Sequence, residues 1–140
     1  MVTVTLPKAI ADRAERFTRA VTMRHEKAGT DHLKPWHEGK PGKTRVVDTW
    51  DGQFFAQAAE FTVAHYLQIE FDPDPLCADD GIDVPPRFGV KWISKSHYDL
   101  AVGVNMRPDA IHFLVRGAVP TQTIVGGISS ARIIERTEKY

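Results

Sequence analysis

Three side chains, Glu60, Asp83 and Lys91, have the types and order that phosphodiester hydrolysis needs. Cutting a phosphodiester calls for a divalent metal that polarises the phosphoryl oxygen and lowers the pKa of the attacking water. Carboxylates supply the hard oxygen ligands that suit Mg2+, and a nearby lysine can orient the water and offset charge in the transition state. Asp83 lies in the short run "GIDV", Pro85 and Pro86 force a turn, and Lys91 sits inside the next run, "RFGVKW". Side chains alternate along a strand, so residue 89 shares a face with Lys91 and is expected to point toward Asp83. A carboxylate there would complete a metal site, and the residue is Gly89. The same residues also admit a plainer reading, with Gly89 as a bulge, Lys91 as a surface lysine and Asp83 as a turn cap before Pro85.

The elements that must position these groups follow from pattern and punctuation. "MVTVTL" alternates and reads as a short strand or extended arm. Pro7 suits a first helical position, and Ile10, Ala14, Phe17, Val21 and Ala28 recur at helical spacing, which predicts a helix over 7–28 closed by Gly29. Residues 29–50, rich in Gly, Pro, His and Lys, read as a long loop. A second helix is expected from a cap at Thr49 or Asp51 to about Leu67, with Phe54, Ala58, Phe61 and Ala64 in its apolar stripe. Glu60 is the acidic residue inside that helix, beside the stripe. After the loop "DPDPLCADDG", strands are expected at 82–84, 88–94, 98–104, 110–117 and 121–128, then a short terminal helix capped by Ser129 or Ser130. Two helices followed by a meander of strands predict one α/β (α+β) domain over 1–140.

Charge is unevenly placed although the net charge is zero. Residues 1–45 carry a net +5, residues 46–85 hold nine carboxylates and no Lys or Arg, and residues 86–140 carry +4. Basic segments flanking an acidic centre suit a polyanion-binding protein that holds a divalent cation, and equally a solvated acidic loop. Lys34, Lys40, Lys43 and Arg45 are the candidates for backbone phosphate contacts. Trp36 and Trp50 flank them and either stack on bases or pack at the domain edge. Lys95, His97 and Asp99 read as turn polarity or as groups near a substrate. The stretch "HEGKPGKT" fails as a phosphate loop, because His37 stands where the first glycine belongs. His25, His32 and His37 are spaced too widely for a zinc site, and His65 and His112 read as core or edge histidines. Cys77 is the sole cysteine, which excludes an intrachain disulfide, and no apolar run approaches the roughly 20 residues that span a bilayer. The expected location is the cytoplasm.

In ordered series these stretches resemble the PD-(D/E)xK nuclease superfamily, in particular its small phage and prophage members. "RHEKAG…H" is similar to their N-terminal arginine helix and polar loop, and "AAEFTVAHYL" to their "GE-x-A-x-A-x-x-L" helix, with Glu60 at the motif glutamate. "DDGIDVPPRFGVKW" resembles the "GxDV…xVKT" hairpin, with Asp83 and Lys91 matching, and "YDLAVGV", "AIHFLVRG" and "TIVGGI" resemble the strands that follow. The departures are Gly89 for the acidic residue, Trp92 for the usual Thr and Ala59 for the glycine before the glutamate. The resemblance implies a central mixed β-sheet flanked by helices and DNA cleavage dependent on Mg2+ (or Mn2+). Asp83 and Glu60 would hold the metal, and Lys91 would position the water or the scissile phosphate. It leaves open a homodimer, a phage or host protein partner, and a catalytically inactive descendant that serves as a DNA-binding, structural or interaction module.

Overall fold

The computed structural model describes residues 1–28, 49–75, 83–94 and 109–132. They form β1 (Val2–Thr5), α1 (Lys8–Ala28), α2 (Trp50–Tyr66), β2 (Phe88–Ile93), β3 (Ile111–Arg116) and β4 (Thr121–Ser129). The four strands make one mixed sheet in the order β1-β4-β3-β2, so the expected mixed sheet with helices is what the chain builds. β1 and β3 each run antiparallel to β4, whereas β2 runs parallel to β3. β2 pairs directly with β3, where the expected meander puts the 98–104 strand, so that order of strands is not the one observed. The strand expected at 98–104 lies outside the described residues, as does most of the expected terminal helix, whose residues 130–132 are helical. Among the described residues no helix is long and apolar enough to cross a membrane.

Local signals account for both helices. Pro7 directly precedes α1, and its carbonyl accepts from the Ile10 and Ala11 N–H groups. The Thr49 hydroxyl accepts from the Gly52 N–H at 3.0 Å and caps α2, with Asp51 in the first turn where a negative charge suits the helix dipole. At the far end Gln68 takes a left-handed φ of 56°, and the Ile69 N–H returns to the Ala64 carbonyl at 2.9 Å.

Two apolar faces of α2 place it between α1 and the sheet. Ala58, Phe61 and Ala64 pack with Leu6 and Ala14, with Ile10 and Phe17 against them. Phe61 also meets Phe17 and Phe71 edge to face, with centroids 5.9 and 4.9 Å apart. The other side, Ala59 and Val63 with Phe55 and Leu67, covers Val4, Trp92, Val115 and Ile124. A buried polar knot fastens this helix to the sheet. Gln122 is fully buried, receives the Thr62 hydroxyl, and donates to the Phe55 carbonyl at 3.0 Å and the Gly117 carbonyl at 3.1 Å. Trp92 Nε1 donates to the same Gly117 carbonyl at 3.0 Å. On the opposite, outer face, hydroxyls pair across strands, Thr3 with Thr123 at 3.3 Å and Thr5 with Thr121 at 3.0 Å.

Candidate functional site

The expected hairpin forms, in reduced shape. Of the strand expected at 82–84, residue 82 lies outside the described residues, and Asp83-Val84 contribute a single bridge, Val84 with Phe88, around the turn Pro85-Pro86-Arg87. Asp83 and Val84 both donate their N–H groups to the Phe88 carbonyl, at 3.0 and 2.9 Å. One residue further along, the ladder is continued by a side chain: Asp83 Oδ2 accepts from the Val90 N–H at 2.6 Å. A charged acceptor on a backbone N–H is a strong hydrogen bond. It closes the edge of β2 that faces away from β3. The bond is the turn-capping role that the plainer sequence reading assigns to Asp83.

Lys91 is exposed. Its neighbour Trp92 is buried against α2, with its ring centroid 6.0 Å from that of Phe55, so Lys91 projects from the outer face. Glu60, half-buried, rides on α2 over the inner face. The sheet thus lies between the helix that bears Glu60 and the face that bears Lys91. Among the described residues no three His, Cys, Asp or Glu side chains gather into a group that could hold a metal. Lys34, Lys40, Lys43 and Arg45, together with Trp36, Asp79, Asp80, Lys95, His97 and Asp99, lie outside the described residues.

Position 89 is filled from the neighbouring strand. In the parallel register Gly89 pairs with His112, and both face outward with Lys91. A Cβ on residue 89 would lie 2.5 Å from His112 Nδ1 and 3.0 Å from Cε1, closer than such atoms approach without displacement. The imidazole is anchored at its other nitrogen, with Nε2 2.8 Å from the Ser130 hydroxyl. Ser130 is itself buried and donates its backbone N–H to the Ala110 carbonyl at 2.9 Å. Burial lowers the His112 pKa below its ordinary value of 6.5, favouring the neutral ring. Gly89 is thus a socket for a ring, not a bulge: its register with β3 is unbroken. The next residue of β3 repeats the device toward the other neighbour. A Cβ on Gly127 of β4 would lie 2.9 Å from Phe113 Cε1. Sequence alone marks His112 as a core or edge histidine, which its burial matches. Its partnership with Gly89 depends on strand register, for which the sequence carries no local signal. His65, by contrast, is exposed in the last turn of α2. It is polar surface, not core.

The arginines of α1 are largely engaged by the protein itself. Arg13 Nη2 donates to the Phe71 carbonyl at 2.7 Å and contacts Asp72 at 3.4 Å. Arg24 Nη1 donates to the Pro75 carbonyl at 2.6 Å. Arg19 pairs with Glu15 at 2.8 Å and lies 5.1 Å from the Trp50 centroid. Trp50 stacks on Phe54 at 6.1 Å and 13°, so it packs at the domain edge as the second sequence alternative has it. Arg16 is exposed beside Pro73 and Pro75. Compared with known proteins, the chain matches no family model, no curated protein and no solved structure.

Proposed function

We propose that this chain binds DNA without cutting it, keeping a nuclease-type hairpin as scaffold. The observation that carries this reading is the His112 imidazole in the space that a side chain at residue 89 would enter. Two further arrangements support it. The Asp83 carboxylate is committed to the Val90 N–H, and Lys91 and the helix of Glu60 lie on opposite sides of the sheet. The basic first third of the chain, with Arg16, Lys34, Lys40, Lys43 and Arg45, supplies the charge for phosphate contacts in a cytoplasmic setting. The second reading is Mg2+- or Mn2+-dependent cleavage by Glu60, Asp83 and Lys91. It is favoured by the hairpin that carries Asp83 and Lys91 on consecutive arms, with α2 packed against β2.

Gel retardation and plasmid cleavage separate the two. Purified protein is expected to retard duplex DNA in the presence of a chelator, with affinity falling steeply as salt rises. Supercoiled plasmid is expected to stay intact in Mg2+ or Mn2+. Cleavage that both Asp83→Ala and Lys91→Ala abolish would establish the nuclease instead. Failure to retard DNA at low salt would sink the binding function.

A further inference from the structure

We propose that His112 is the residue that bars a carboxylate from position 89. A side chain at 89 and the ring at 112 claim one space on the outer face, so the hairpin presents either a closed ring socket or an added oxygen ligand, never both. Three observations carry this. The clash involves a ring atom at 2.5 Å, so the ring must move for any Cβ to fit. The ring is buried and tied through Nε2 to buried Ser130, so moving it breaks that bond. The two residues are register partners, so their Cα atoms cannot separate without parting β2 from β3. Removing the ring clears the space next to Asp83, whose carboxylate reaches the backbone one residue away, at Val90. A carboxylate at 89 would then share that edge with Asp83, and a divalent cation is the natural counter-charge for two such groups. The cation half of the proposal rests on the nuclease-type reading of the hairpin, and the packing half stands without it.

Thermal unfolding of a mutant cycle tests the packing half. In the wild-type background Gly89→Ala is expected to lower Tm by about 5 °C or more. In a His112→Ala background the same change is expected to cost no further Tm. His112→Val, with a side chain suited to a strand, is the second background in case His112→Ala fails to fold. Gly126→Ala, where a Cβ meets nothing within 4 Å, is the control and is expected to leave Tm unchanged. An unchanged wild-type Tm on Gly89→Ala, or an equal loss with and without His112, overturns the packing half. Calorimetry with Mn2+ tests the other half. Gly89→Glu alone is expected to bind no better than wild type, and Gly89→Glu with His112→Ala about tenfold tighter or more. Equal gain in the single variant shows that the ring bars nothing. No gain in the double variant, with the packing cycle coupled as expected, overturns the cation half. Wild-type DNA retardation reads the binding function separately, so the two failures cannot be confused.

Discussion

The His112 ring fills the space beside Gly89, and its Nε2 is 2.8 Å from the Ser130 hydroxyl. Nδ1 lies 2.5 Å from where a Cβ on Gly89 would stand, and the buried ring loses the water that would stabilise an imidazolium. Burial accordingly depresses its pKa in the folded state below 6.5. The unfolded chain takes up that proton at higher pH than the folded one, so the stability present above about pH 6.5 is lost as pH falls toward the folded-state value. Urea midpoints measured from pH 7.5 down to 5 are expected to fall more steeply for wild type than for His112→Gln. The exposed His65 is common to both proteins and drops out of the difference. Parallel slopes would mean that His112 titrates as it does in the unfolded chain. The register partner of this ring was not legible in the sequence. Only a motif sets Gly89 apart in the sequence, and the reason for a glycine there belongs to a strand some twenty residues further on.

At the scale of elements, the legible part is what local chemistry decides. Thr49 and the 3.6-residue recurrence of Phe54, Ala58, Phe61 and Ala64 locate α2 correctly, since caps and stripes are written within a few residues of each other. A search for one stripe passes over the second face, Phe55, Ala59 and Val63, which exists because α2 is covered on two sides. At 83–84 the pairing stays at one bridge because an aspartate side chain takes over from the ladder. The direct pairing of β2 with β3 leaves no mark in an alternation pattern, which does not say which strands are neighbours. What joins helix to sheet is also invisible locally: Gln122 reads as a polar residue in "TQTIVGGI", yet it is fully buried and bonds to Thr62, Phe55 and Gly117. Gln122→Ala removes all three partners' bonds and leaves a void. It is expected to cost about 2–4 kcal/mol in denaturant unfolding. A loss under about 0.5 kcal/mol would mean that Trp92 and the apolar packing hold α2 without the knot.

For the molecule as a whole, the described arginines of α1 divide into those bonded across the fold and the exposed Arg16. Arg13 and Arg24 reach from α1 to the carbonyls of Phe71 and Pro75 and strap the acidic 71–75 segment to the helix. Arg24→Ala is expected to lower stability by about 1–2 kcal/mol, since it removes a charge-assisted bond to a part-buried carbonyl. Arg16→Ala is expected to change stability by less than about 0.5 kcal/mol. It should weaken DNA retardation and reduce the log–log salt slope by about 0.9. An Arg16 variant with unchanged affinity would move the contact surface off α1. The paired rings of β3, one over Gly89 and one facing Gly127, have a historical consequence as well. They impose an order on change. A carboxylate arriving first at 89 meets a ring that is already there, so the chain must give up its imidazole before it can accept the acid. For any lineage carrying this chain, the way to a larger side chain at residue 89 begins with a change at residue 112.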